Sequence, residues 1–85
     1  IIDFWATWCG PCRMMAPVMD HASELLGEKV NFTKVDTDEM QERAGKFNIM
    51  SIPTIILFKD GQEVHRMIGA VPQEAFLEEL KKFLA

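Results

Sequence analysis

Short apolar runs alternate along the chain with segments whose apolar residues recur every three or four positions. Ile1-Ile2-Asp3-Phe4-Trp5-Ala6 is almost continuously apolar, which suits a central strand covered on both faces. Thr7 to Pro11 reads as a loop, and Pro11 fits the first turn of a helix, where a missing N–H costs nothing. From there to Leu26, Met15, Val18, Met19, Ala22, Leu25 and Leu26 share a helical face. Gly27 is expected to end that helix as a C-terminal glycine. Pro17 lies inside it and should kink it.

Val30-Asn31-Phe32-Thr33-Lys34-Val35 alternates and reads as a second strand. Asp38 with Gln41 has the spacing of a capping box for a short helix over residues 39–47. Asn48 can close that helix in a left-handed conformation. Residues 54–58 and 63–68 are two strands joined through Asp60-Gly61, a strong hairpin signal. A last helix over 72–84 carries Phe76, Leu77, Leu80, Phe83 and Leu84 as its buried stripe. Glu74 near its start and Lys81 and Lys82 near its end complement the helix dipole, and Glu78 with Lys82 makes an i,i+4 pair.

The order β-α-β-α-β-β-α predicts an α/β fold with a mixed sheet. The first two strands, linked through a helix, should be parallel with a right-handed crossover.

Eighty-five residues make one domain, residues 1–85, with a thin stability margin. The chain is 48% hydrophobic and 26% charged, ordinary for a globular protein, and its net charge of −4 argues against a nucleic-acid surface. No apolar run approaches the ~20 residues of a spanning helix, so no membrane role is expected. Ile1 is not an initiator methionine, and a strand begins at once. An N-terminal segment is therefore expected to be missing, and any targeting signal with it.

The chemistry lies in Trp8-Cys9-Gly10-Pro11-Cys12, which holds both cysteines of the chain. A structural disulfide closing so short a loop removes little unfolded-state entropy. Zinc usually takes four ligands, and this pair supplies two, with His21 and His65 at no recognised spacing. A c-type haem needs His after the second cysteine, where Arg13 stands. A redox dithiol remains. A strand leads into the pair and a helix starts there, and helix N-termini stabilise a thiolate. Cys9, ahead of the first turn, is expected to be exposed and to act as the nucleophile. Cys12, one turn further in and less accessible, would resolve the mixed disulfide and leave a Cys9–Cys12 disulfide. Gly10 leaves room for an approaching chain, and Pro11 stiffens the turn. The six methionines read as gap-filling core, and His21 and His65 as exposed bystanders.

Together with Asp3-Phe4-Trp5-Ala6, Ala16-Pro17, Lys34-Val35-Asp36, Ile52-Pro53-Thr54, Phe58-Lys59-Asp60-Gly61 and Gly69-Ala70, the Cys-Gly-Pro-Cys motif resembles the thioredoxin family over nearly all of the chain. Pro11, where oxidising and isomerising relatives usually carry His, favours a reductase. The resemblance implies a thioredoxin fold in minimal form, with a four-stranded mixed sheet of order 2-1-3-4 flanked by helices. It implies a cis Pro53 facing the active site, and an Ile52 offering backbone hydrogen bonds to an extended substrate. Asp3 would be the proton acceptor for Cys12, tuned by Lys34. Trp8, Gly69 and Ala70 would line the docking surface, with Trp5 beneath the loop.

It also implies a general protein-disulfide reductase that needs no cofactor of its own. A thioredoxin reductase using FAD and NADPH would recharge it, and the expected setting is cytoplasmic. The alternatives are a binding module with incidental redox chemistry, or a redox domain of a larger oxidoreductase. Because thioredoxins normally begin with another strand and helix, the chain is expected to be truncated. Residues 30–35 would then form an exposed edge, with reduced stability and a homodimer through that edge.

Overall fold

Seven elements follow one another in the expected order. They are β1 (Ile2–Trp5), α1 (Gly10–Leu26), β2 (Thr33–Asp36), α2 (Gln41–Lys46), β3 (Thr54–Lys59), β4 (Gln62–Ile68) and α3 (Gln73–Leu84). The computed structural model describes the backbone of residues 1–84 and the side chains of residues 1–83. The side chain of Leu84, assigned by spacing to the buried stripe of α3, lies outside the described residues.

The strands form one sheet of order β2-β1-β3-β4. β1 and β2 are parallel, while β1–β3 and β3–β4 are antiparallel. This is the mixed sheet that the resemblance implies. The parallel pair needs a long crossover, which α1 supplies, and the last pair needs only a tight turn. That turn places Asp60 at φ 54° and Gly61 at φ 81°, as a two-residue hairpin matched to strand twist requires. A bulge interrupts the β3–β4 register, because Leu57 pairs with His65 and Phe58 with Glu63, leaving Val64 over.

Strand periodicity sorts the core into two layers. Ile55 and Leu57 of β3 face α1 and α3, where Met15, Met19, Ala22, Met67, Phe76 and Leu80 close around them. Ile56 points the other way, to Phe4 and Val35, with Phe47, Ile49 and Phe58 packed alongside. Each such burial contributes roughly 1.5–3 kcal/mol. On β1 the same alternation sends Phe4 to the α2 layer and Asp3 to the α1 layer. A third, small cluster holds Ala6, Cys9 and Cys12 against Trp5 and Ile52.

Local chemistry shifts several boundaries. β2 starts at Thr33, since the Lys29 and Val30 amides bond back to the Leu26 carbonyl at 2.9 Å and close the end of α1. Gly27 stays right-handed, at φ −59° and ψ −23°, and what favours glycine there is space. An added Cβ would lie 2.5 Å from the Ser23 carbonyl oxygen. α1 continues past Pro17. Leu25 is 59% exposed, because at 3.6 residues per turn it falls about 80° from Met15 around the helix.

α2 is shorter than its pattern predicted, and Asp38 does not cap it. Met40 is its N-cap, with no side-chain bond. Asp36 accepts the Asp38 and Glu39 amides instead, at 2.9 and 3.3 Å. Asn48 does adopt the left-handed conformation, at φ 56°. On α3, Lys82 pairs with Glu79 at 2.9 Å and not with Glu78. Glu79 also meets His65 at 3.2 Å. His65 is half-buried and stacks on Phe83 with ring centroids 5.0 Å apart, so it is no exposed bystander.

Candidate functional site

β1 ends at Trp5, and the chain turns at once into α1. The Cys9 amide bonds to the Ala6 carbonyl at 3.2 Å, and the Arg13 guanidinium ties to the Thr7 carbonyl at 2.9 Å. Cys9 is the N-cap of α1, with extended backbone at φ −87° and ψ 110°, and Pro11 stands in the first turn. The Cys9 Sγ accepts the Cys12 amide at 3.1 Å, in the place an oxygen of Ser or Asp usually fills. One orphan donor of the helix end is thereby spent on sulfur. Cys9 and Cys12 are joined as a disulfide, with Cα atoms 5.2 Å apart.

Exposure does not separate the two sulfurs. Cys9 is 4% exposed and Cys12 6%, so the expectation of an open Cys9 and a covered Cys12 fails for this disulfide state. Cys9 packs against Ala6, Trp5 and Ile52, and its Sγ lies 3.8 Å from the Ile52 carbonyl oxygen. The difference between the cysteines is electrostatic: Cys9 sits at the helix end and receives its amide.

Beneath the pair lies a cleft of about 220 Å³, lined by Asp3, Trp5, Ala6, Cys12, Ala16 and Lys34, among others. Asp3 is 3% exposed. Its Oδ1 is the one buried side-chain polar atom without a hydrogen-bond partner among the described residues. Burial pushes its carboxyl up to about 6, partly offset by the charge of Lys34. Lys34 is directly opposite Asp3 in the β1–β2 register and is itself exposed. The structure thus brings Asp3, Lys34 and Cys12 to one cleft.

The remaining sequence candidates border the disulfide or lie at the neighbouring strand ends. Gly10 is exposed, with nothing within 4 Å of where a Cβ would stand. The Ile52–Pro53 peptide is cis, and Pro53 is buried. The Gly69 amide bonds to the Pro53 carbonyl at 2.8 Å, and Gly69 takes φ 90°, a conformation that favours glycine. Ala70 follows it, exposed. Trp8 is 67% exposed and Trp5 partly covered. The Trp8 indole donates to Asp38 Oδ2 at 2.9 Å. Thirty residues separate those two, and Asp38 reads in the sequence as a cap, so no local signal announces that contact. Three of the six methionines, Met14, Met40 and Met50, are exposed and not core. No group of side chains suited to hold a metal ion occurs among the described residues. No described helix is long and apolar enough to cross a membrane.

Comparison with known proteins agrees with this geometry. The Thioredoxin family model matches residues 1–82. The chain is 48% identical over 84 residues to the thioredoxin of Bacillus subtilis (strain 168), covering 99% of this chain and 81% of that one. It is equally similar to thioredoxin 1 of Synechococcus elongatus, at 48% over 84 residues, with 99% and 78% covered. The crystal structure of Malassezia sympodialis thioredoxin superposes with a TM-score of 0.89 at 41% identity, over 99% of this chain and 73% of that one. Mitochondrial thioredoxin 3 from Saccharomyces cerevisiae, in its oxidized form, gives 0.86 at 40%, over 95% and 74%.

The family match begins at Ile1 and takes in β1 and α1 as the domain's first strand and helix. It overturns the expectation of a chain that lacks the family model's first strand and helix. The relatives support disulfide-containing substrates and a reductase as partners in general terms. With its paired cysteines at a helix N-terminus, its fold and these relatives, the chain belongs to the thioredoxin family and is a thiol–disulfide oxidoreductase with disulfide-reductase activity.

Proposed function

We propose that Cys9 is the nucleophile and Cys12 the resolving thiol of a general protein-disulfide reductase. The observation that carries this division of labour is the Cys12 amide donating to Cys9 Sγ at the N-cap of α1. In the reduced protein the same donor and helix end favour a thiolate at position 9. That thiolate attacks one sulfur of the substrate disulfide, and the other sulfur leaves as a thiol. Cys12 then loses its proton and attacks Cys9 Sγ. The second substrate thiol departs, the Cys9–Cys12 disulfide forms, and two electrons have passed to the substrate.

Asp3 is the proton acceptor for Cys12 in this reading. A carboxyl with its pKa near 6 can both take and release a proton close to neutrality. Lys34 keeps it from rising further. Substrate docks as an extended segment across Trp8, Gly10, Pro11, Ile52, Pro53, Gly69 and Ala70, with Ile52 supplying backbone hydrogen bonds. A flavin-containing thioredoxin reductase drawing on NADPH restores the dithiol, in a reducing compartment such as the cytoplasm. β2 is a sheet edge, paired on one side by β1, and offers the route by which two copies would pair. Sedimentation at increasing concentration tests that route.

Thiol alkylation against pH, measured together with insulin reduction, tests the main reading. Cys9 is expected to react well below the ordinary thiol pKa of about 8.5, and the reduction rate should follow its ionisation. A Cys9 that reacts like a free thiol would remove the nucleophile.

A further inference from the structure

Arg66 takes no part in the exchange, yet it makes more side-chain hydrogen bonds than any other described residue. It pairs with Ile56 across the β3–β4 ladder, and only a quarter of its side chain is exposed. Its Nη2 donates to the Phe47 carbonyl at 2.9 Å and its Nη1 to the Asn48 carbonyl at 3.5 Å. Its Nε and Nη2 also fork onto the two carboxylate oxygens of Glu63, at 3.0 and 2.8 Å. The planar guanidinium thus spans a carboxylate on its own strand and two carbonyls at the end of α2, which an ammonium could not do together.

Those carbonyls belong to a weak place in the fold. α2 has six residues and no side-chain cap, too short to hold its shape alone. Asn48, just beyond it, is left-handed. Four residues further, the Ile52 carbonyl lies 3.8 Å from Cys9 Sγ. The far end of this segment is pinned by the Gly69 amide on Pro53 at 2.8 Å and by Thr54 Oγ1 on the Ser51 carbonyl at 2.6 Å. Arg66 lies near the end of β4, and Gly69 follows its last residue, Ile68. One strand end therefore grips the segment on both sides of Ile52.

We propose that Arg66, braced by Glu63, is a positioning residue for substrate docking. It presets the segment over residues 47–51 so that the Ile52 backbone meets an extended polypeptide without first being ordered. The inference rests on the reading of Ile52 as a docking element and adds the residue that fixes it. A small disulfide, which needs the sulfurs and not the strand-like docking, should be indifferent to Arg66.

The test compares insulin with a small aromatic disulfide as substrates. Arg66→Ala is expected to raise KM for insulin by about three- to tenfold, with kcat little changed. The same variant should reduce the small disulfide within twofold of the parent rate. Arg66→Lys keeps the charge but not the fork, and should fall between parent and Arg66→Ala. Glu63→Gln, an exposed change that leaves Arg66 in place, should shift KM in the same direction by less. Amide exchange at residues 49–52 should quicken in all three variants.

An unchanged insulin KM would overturn the proposal, as would equal losses on both substrates, which mark a merely structural role. If Arg66→Ala does not fold, Glu63→Gln carries the test, and an unaltered KM there overturns it. Ala70→Arg, which obstructs the docking face, checks the parent reading separately. A normal insulin KM in that variant would sink the docking surface itself, whereas a raised KM there with a normal one in Arg66→Ala sinks only the role of Arg66.

Discussion

The two ends of the sheet divide space and chemistry unequally. At the far end, a cavity of about 600 Å³ opens between Val30, Leu57, Leu80 and Phe83, with Lys29 and Lys59 at its rim. The cleft under the disulfide is little more than a third of that size, about 220 Å³. Yet the smaller space holds Cys12, Asp3 and the one buried polar atom left unpaired among the described residues. Proteins satisfy their buried polar groups almost without exception. An unsatisfied carboxyl in the same cleft as a redox cysteine therefore marks function more sharply than volume does. The far cavity mixes apolar core with charged and polar residues, whereas the redox cleft sets one unpartnered acid among mostly apolar walls.

The largest effect that would break this contrast concerns Cys9. Replacing it with Ser leaves the N-cap chemically sound, since Ser caps well. It removes the sulfur that forms the mixed disulfide. Cys9→Ser is expected to lower insulin reduction by at least about a thousandfold while keeping the fold, because the remaining thiol, Cys12, lacks the N-cap place and has no partner to resolve a mixed disulfide. Residual turnover near the parent rate would move the chemistry elsewhere.

Asp3 gives the next effect, visible in both rate and stability. Asp3→Asn is expected to slow turnover at neutral pH by about tenfold or more and to remove its rise through pH 6. Stability should change in the opposite direction. Between pH 3.8 and about 6 the folded chain retains a proton that the unfolded chain has lost, so stability falls as pH rises across that window and then levels off. Above it the buried charge costs about 2–3 kcal/mol. Asn should recover that margin at pH 7.5 and little of it at pH 4. Denaturant titrations at both pH values check this, and an equal gain at both would detach Asp3 from the titration.

Those two residues were legible in the sequence for different reasons. Cys9 and Cys12 are three positions apart, so their joint placement at a helix end follows from local patterning alone. An acid within an apolar run makes Asp3 conspicuous before any contact is known. The parallel first pair and the last hairpin were legible from the helical crossover and the Asp60-Gly61 turn, whereas the full sheet order came from the family resemblance. What stayed hidden is non-local. The Trp8 indole on Asp38 and the Arg66 fork on Phe47 and Asn48 join residues far apart in sequence. Asp38 in particular carried a plausible local role as a cap, yet α2 has no side-chain cap and Asp36 takes the Asp38 and Glu39 amides ahead of it. Cysteine burial was also misjudged, because position before a helix says nothing of the Ile52 loop that folds over Cys9.

The Trp8–Asp38 contact should matter, but modestly. Both partners are exposed, and a bond between exposed groups contributes at the low end of about 0.5–1.5 kcal/mol. Asp38→Ala frees the indole to turn, so KM for insulin should rise about twofold to threefold, with kcat held. Tryptophan fluorescence should report a more mobile ring. A tenfold loss would mean that Asp38 acts on the sulfurs and not through Trp8.

The smallest effect on rate belongs to the far end, and it bears most directly on the contrast. Leu57 is 4% exposed and belongs to the core that meets α1 and α3. It also borders the larger cavity. Leu57→Ala should cost about 2–5 kcal/mol of stability, since the site already adjoins open space and can collapse only in part. Below the lowered melting temperature, kcat/KM for insulin should stay within twofold of the parent. Leu57 does not line the cleft under Cys12, whose walls come from β1, β2, α1 and the loop between β1 and α1. Measured together by calorimetry and turnover, a large stability loss with an intact rate would show that the two ends fold as one unit but work separately. A rate that fell in step with stability at temperatures where the chain stays folded would join them, and the open core could no longer be treated as a bystander to the chemistry.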